Sequence, residues 1–173
     1  MENQNVLLKE VRPDEYPAFV KDLQDSFSVT VKEKFGSDEI VPSSEDVTSS
    51  ILAEGAETYH IVADGKIVGG AVLNINKTTH VNVLDLFFIR TDCHNKGVGL
   101  SAWKAIERAF PDTVKWRTVT PYFEERNVHF YVNKCGFKII EFFNPHHVDP
   151  NMPPEQTENP AQQTYFLFEK EMK

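Results

Sequence analysis

Residues 85–103, DLFFIRTDCHNKGVGLSAW, hold the densest chemistry in the 173-residue chain. A β-rich run gives way to a short turn, two glycines one residue apart, and an amphipathic segment. A helix starting there offers unpaired backbone N–H groups and the positive end of its dipole, a ready place for a phosphate-like anion. Gly97 and Gly99 keep side chains away where a ligand would approach the backbone, and His94 and Lys96 add donors or positive charge. The same glycines also read as a structural turn ahead of a helix. The stretch is not a full dinucleotide fingerprint, because Ala102 stands at the third glycine and no acidic residue follows at convincing spacing. Nor is it a P-loop, which needs GxxxxGK followed by Ser or Thr. Just upstream, Asp85 lies between Leu84 and Leu86. A carboxylate there is hard to explain as packing, so it should face a cleft or solvent.

The elements that must position these residues follow from periodicity. VLLKEVR, ending at Pro13, reads as a first strand, and Phe19, Val20, Leu23 and Phe27 recur at helical spacing within residues 14–27. The stretch to about residue 41 is ambiguous, with Gly36 and Pro42 as its punctuation. Ser43–Ser44–Glu45–Asp46 looks like the cap of a short helix through Ala53. Residues 58–63 and 66–75 flank Asp64–Gly65, the signal of a tight hairpin, and a further strand follows at 81–90. Leu100, Trp103, Ile106 and Phe110 then share one helical face up to Pro111. Residues 114–120 alternate as a strand, 123–134 read as a helix closed near Gly136, and strands follow at 137–143 and 164–169. Residues 145–160 hold five of the ten prolines and read as a long loop. The order β-α-α-β-β-β-α-β-α-β-β predicts one α/β domain over residues 1–173, with a mixed sheet of seven strands and four helices. The strand–helix–strand unit at 81–120 should be parallel and right-handed.

Composition narrows the function classes. Apolar residues make up 40% and charged residues 25%, which suits a globular chain. A net charge of −8 disfavours nucleic acid and anionic membrane as partners. No apolar run approaches the roughly 18 residues that span a bilayer, and the N-terminus lacks the pattern of a signal peptide. With only Cys93 and Cys135, neither a disulfide framework nor a CxxC metal motif is present, and a reducing, cytoplasmic setting is expected. The charge is uneven. Residues 90–138 carry 9 basic against 5 acidic side chains, whereas 1–89 carry 7 against 15. A basic middle in an acidic protein suits a modest anionic ligand, although chance clustering gives the same count.

HNKGVG, His94 to Gly99, resembles the Gln/Arg-x-x-Gly-x-Gly/Ala acyl-CoA signature of the GNAT N-acetyltransferases. LFFIRTDC resembles that family's fourth strand, and NVHFYVNKCGFKII (residues 127–140) its second motif, a helix with Tyr shortly before Gly-Phe. The motifs lie about 30 residues apart with one strand between them, and the element order agrees. The resemblance implies a splayed mixed sheet, acetyl-CoA as donor and a primary amine as acceptor, with direct transfer and no metal. It places the thioester and pantetheine on backbone groups of Phe88, Ile89 and Arg90. The pyrophosphate then falls around His94, Asn95, Lys96, Gly97, Val98 and Gly99, with Leu100 and Ser101 completing the helix start.

Tyr131 matches the family's acid tyrosine, whose phenol protonates the departing thiolate; it also reads simply as a half-buried aromatic. Asp85 falls where many members carry the base, acting directly or through water, and it also reads as an acceptor-binding carboxylate. Some positions depart from the pattern. His94 stands where Arg or Gln is usual, Asn95 replaces a common glycine, and Glu124 takes the place of an Asn seven residues before the Tyr. Asn127, four before it, is the remaining candidate for the pantetheine arm. His129, Trp116 and Arg117 read as structural, Cys135 as a small buried hydrophobe, and His146–His147 lacks a partner for a metal. The expected activity is N-acetylation of a small molecule or a protein amine, with the 20–50 segment and the 142–162 loop holding the acceptor. A homodimer is common among relatives. The alternatives are an acyl-CoA-binding sensor with little turnover, or an interaction domain whose glycine turn is structural.

Overall fold

The computed structural model describes residues 5–36, 42–94, 97–151 and 164–172. Seven strands form one sheet: β1 (Val6–Glu10), β2 (Ala56–Ala63), β3 (Lys66–Asn74), β4 (Val81–Ile89), β5 (Lys115–Pro121), β6 (Lys138–Phe143) and β7 (Tyr165–Glu171). Their spatial order is β1-β2-β3-β4-β5-β7-β6. Every neighbouring pair is antiparallel except β4 and β5, which run parallel. Four α-helices are present among the described residues: α1 (Tyr16–Phe35), α2 (Ser44–Leu52), α3 (Val98–Ala109) and α4 (Glu125–His129). The expected element order is the observed one.

Local chemistry explains the boundaries. The hairpin joins β2 to β3 through Asp64 (φ 51°) and Gly65 (φ 83°), the left-handed pair that a primed turn requires. Ser43 caps α2 by accepting from the Asp46 N–H at 3.1 Å. α1 runs past the expected residue 27 to Phe35 and stops at Gly36, whose left-handed backbone (φ 63°) lets its N–H reach the Lys32 carbonyl. Its second half has only Val31 buried, so the hydrophobic pattern that marks the first half fades before the helix ends.

The sheet separates two apolar layers. On one face α1 and α2 pack Phe19, Val20, Leu23, Val47 and Ile51 onto Val72 and Phe88. On the other, α3 and the 125–135 helix bury Trp103, Ile106 and Tyr131 against Leu73, Leu84, Trp116 and Phe168. Residues 71, 72 and 73 alternate between those layers, the period of two that a doubly covered strand needs. Trp103 and Trp116 meet edge to face at 5.3 Å, and an aromatic pair of this kind contributes about 0.5–1.5 kcal/mol beyond its area.

The feature that positions the site is where the parallel ladder ends. β4 and β5 pair only over Val81↔Lys115, Asn82↔Trp116 and Val83↔Arg117. Beyond that point the strands part, because β4 keeps following β3 as far as Ile89 while β5 follows β7 as far as Pro121. Thr118 marks the vertex: its hydroxyl donates to the Leu84 carbonyl at 2.8 Å.

Candidate functional site

A cleft of about 890 Å³ opens where β4 and β5 diverge. Its walls come from β4 (Phe87, Phe88, Ile89), the turn after it, the start of α3, the second half of α1, and the Phe123–Phe130 segment. The β4 edge facing it carries unused backbone groups. The Arg90 N–H donates to Val68 at 2.8 Å, so in the antiparallel register Arg90 and Phe88 point toward β3, and Ile89 and Phe87 point away. The backbone groups that can take an added strand are thus those of Phe87 and the N–H of Ile89. Phe88 was expected to contribute its backbone; it contributes its ring, which packs on Phe19 at 5.5 Å. His94 folds back so that Nε2 donates to the Ile89 carbonyl at 2.7 Å.

The glycine pair divides its work. Gly97 sits ahead of α3 with φ 74°, and a Cβ there would meet nothing within 4 Å, so it supplies backbone conformation in front of open space. Gly99 supplies clearance: a Cβ would lie 3.2 and 3.4 Å from the Phe130 ring. Val98, Gly99 and Leu100 occupy the first turn, where backbone N–H groups lack helical partners, and all three line the cleft. Ser101 is already engaged, its N–H donating to the Gly97 carbonyl at 3.2 Å. Asn95 and Lys96 lie outside the described residues. Asn127 lines the cleft.

The expected helix at 123–134 is interrupted. α4 ends at His129 and continues as a π-helical turn, Phe130–Lys134, in which the Cys135 N–H reaches back five residues to the Phe130 carbonyl at 3.0 Å. That wide turn decides which aromatic faces the cleft. Phe130 lines the cleft and stacks on Phe87 with centroids 5.8 Å apart. Tyr131 is only 5% exposed, packs on Phe137 and Phe168, and is not part of the cleft wall. Burial pushes its phenol well above the ordinary value, with Cys135 and Glu124 acting the same way and a hydrogen bond to Thr118 opposing. Thr118 stands beside the phenol, its own hydroxyl proton committed to the Leu84 carbonyl.

Asp85 is the extra residue of a β-bulge: Leu86 pairs with Val72 and Leu84 with Leu73, leaving Asp85 without a partner on β3. It is exposed, as its apolar neighbours implied, and lies beside Ser50 of α2. Surrounding protein raises its carboxyl, and the Ser50 hydrogen bond opposes that shift. Asp85 is outside the cleft wall, so the two expected catalytic groups flank the cleft rather than line it.

Periodicity did not reveal the far wall. Glu124 precedes α4, yet its side chain does not cap that helix; it hydrogen-bonds to Thr30 of α1. Desolvation raises its carboxyl, against Thr30 and Lys34. Lys34 also pairs with Glu125 at 3.7 Å, and Phe35 meets Phe123 edge to face at 4.9 Å. The only sequence signal for this wall was Glu124 standing where an Asn is common. The basic segment is likewise divided. Arg126 and Lys134 line the cleft, whereas Lys115 and Arg117 bind Glu169 across the sheet at 3.2 and 2.8 Å. His147 is paired with Glu141 at 2.6 Å and stacked on Phe143.

The sequence model of the Acetyltransferase (GNAT) family matches residues 16–137, a span holding β4, the glycine turn, β5 and the π turn. The chain belongs to the GNAT acetyltransferase family. It is 54% identical over 149 residues to the uncharacterised protein YrkN of Bacillus subtilis, covering 85% of this chain and 80% of that one. Among solved structures, this GNAT chain superposes on an acetyltransferase from Thermus thermophilus with a TM-score of 0.70 at 15% identity, covering 99% of this chain and 100% of the other. A PaiA N-acetyltransferase from Thermoplasma acidophilum, solved with coenzyme A, gives 0.69 at 14% identity, covering 96% and 99%. At such identities the likeness is one of fold: the splayed GNAT sheet. Among the described residues, no helix is long and apolar enough to cross a membrane.

Proposed function

We propose that this GNAT protein is an acetyl-CoA-dependent N-acetyltransferase that passes the acetyl group directly to the primary amine of a small molecule or protein. The observation carrying this reading is the β4 edge that no strand covers, at Phe87 and the Ile89 N–H, leading to the open N-terminal turn of α3. An extended amide chain ending in phosphates matches that arrangement: amides pair with a strand edge, and phosphates suit the N–H groups of Val98, Gly99 and Leu100. The coenzyme A bound by the structural neighbour supports the same ligand. Val98 is buried and Leu100 half-buried, so these two residues serve through their backbone. Asn127, from α4, lines the cleft and is assigned to the pantetheine arm. Cys93 and Cys135 are thiols rather than halves of a disulfide, in accord with a cytoplasmic setting.

Bound acetyl-CoA supplies a thioester carbonyl for the amine to attack, forming C–N and breaking C–S. The chain must then move two protons: one away from the acceptor nitrogen and one onto the leaving sulfur. Asp85, with its carboxyl raised by desolvation from the surrounding protein, is assigned the first, directly or through water. Tyr131 is assigned the second. Its phenol stays protonated at neutral pH and lies at the strand vertex beside Thr118. Delivering that proton requires the O–H to turn from Thr118 toward the opening.

Burial of Tyr131 also favours a second reading, an acyl-CoA sensor with little turnover. Calorimetric titration with acetyl-CoA, followed by an amine panel read by thiol release, tests both. Binding with release is the expected result. Binding without release to any amine leaves the sensor, and no binding at millimolar acetyl-CoA overturns both.

A further inference from the structure

The cleft wall opposite α3 has a carboxylate with no role in the chemistry above. Glu124 stands where β5 turns into α4, its N–H bonded to the Pro121 carbonyl at 3.1 Å. A side chain ahead of a helix commonly turns back onto the helix's own N–H groups. This one crosses instead to Thr30 of α1. Lys34, whose charge acts on it, is shared with Glu125 at 3.7 Å, and Glu33 of α1 lines the same wall. The carboxylate is therefore desolvated, held by a hydroxyl, and only partly neutralised. Around it the cleft is aromatic, with Phe27, Phe87 and Phe130 in its wall.

We propose that Glu124 is the contact for the acceptor's ammonium group, and that the acceptor is a primary amine on an alkyl or arylalkyl chain lying against Phe27, Phe87 and Phe130. The inference rests on the acetyl-transfer reading and narrows its substrate class. A partly buried carboxylate gains most from a cation that donates hydrogen bonds to it, and an apolar surface beside it selects the carbon chain that carries the cation. An uncharged or anionic group at the same place would add no charge compensation to what Thr30 and Lys34 already supply.

The test is calorimetric titration of the full chain, saturated with CoA, using hexylamine and phenethylamine as probes and hexanol as the uncharged control. Hexylamine is expected to bind, and hexanol roughly tenfold more weakly or worse, as a charge-assisted hydrogen bond requires. Glu124→Gln is expected to cost hexylamine a similar factor while CoA affinity is unchanged. The carboxyl carbon signal of Glu124 should move with hexylamine in the unmutated protein, a readout that needs no variant to fold. Glu124→Asp, which withdraws the charge by one methylene, should lie between the two. The proposal is overturned if hexylamine does not bind, if hexanol binds equally well, or if Glu124→Gln leaves amine binding intact. It is also overturned if that variant loses CoA instead, which would put Glu124 on the pantetheine arm. Failure of the acetyl-transfer reading shows separately, in the acetyl-CoA titration and thiol release; hexylamine is then titrated into the CoA-free chain.

Discussion

Replacing Tyr131 by Phe separates a catalytic phenol from a packing one, and the structure gives both magnitudes. The ring stays, so the contacts to Phe137 and Phe168 stay with it. Only the O–H is lost, and with it the hydrogen bond to Thr118. Thr118 keeps its own donation to Leu84, so no buried donor is orphaned. The expected loss is that of one neutral hydrogen bond, about 0.5–1.5 kcal/mol. For a domain of this size each 1 kcal/mol lowers the melting temperature by roughly 2–4 °C. Acetyl-CoA affinity should not change, because the binding groups lie on β4 and α3. If the phenol protonates the leaving sulfur, kcat should fall by about 10²–10⁴-fold. The assay is thiol release with an amine that the unmutated protein acetylates, alongside a melting curve and an acetyl-CoA titration. Thr118→Val supplies the converse: it strips the buried Leu84 carbonyl of its donor, costing about 1–3 kcal/mol, and leaves the phenol in place. Turnover that tracks stability through both variants, with Y131F far short of a hundredfold loss, refutes the acid role.

Other outcomes follow from the same geometry. Gly99→Ala gains about 1 kcal/mol of helix propensity but presses on Phe130, whose ring yields into the cleft; melting should barely move while calorimetry shows weaker acetyl-CoA binding. Gly97→Ala meets no neighbour, so its cost is the left-handed backbone alone, about 1–2 kcal/mol, and Gly97→Asn should melt closer to the unmutated protein. Asp85 and Glu124 both have carboxyls raised by desolvation from the surrounding protein, so the folded state holds their protons more tightly than the unfolded one. That advantage is complete below the ordinary carboxylate range, about pH 4, and is lost as pH rises through the raised folded values. Asp85→Asn and Glu124→Gln should therefore melt above the unmutated protein at pH 7 and match it near pH 3; a gap that persists at low pH contradicts the assignment.

What the sequence determined by itself was local. The Asp64–Gly65 hairpin, the Ser43 cap, the glycine turn before α3 and the full element order follow from φ preferences, capping and hydrophobic period, all set within a few residues. The helix start that opens on the cleft was legible for the same reason. Tertiary structure decided the rest of the site. The β-bulge that frees Asp85 from the β3 ladder exists only once β3 and β4 choose their register. The π turn, invisible to a 3.6-residue period, sends Phe130 to the cleft and Tyr131 into the core. Glu124 meets Thr30 across 94 positions of chain, and Lys115 and Arg117 spend their charge on Glu169 from the last strand. Periodicity says which face of an element is apolar; which neighbour covers that face, and where two strands part to admit a ligand, depends on contacts between segments distant in the chain.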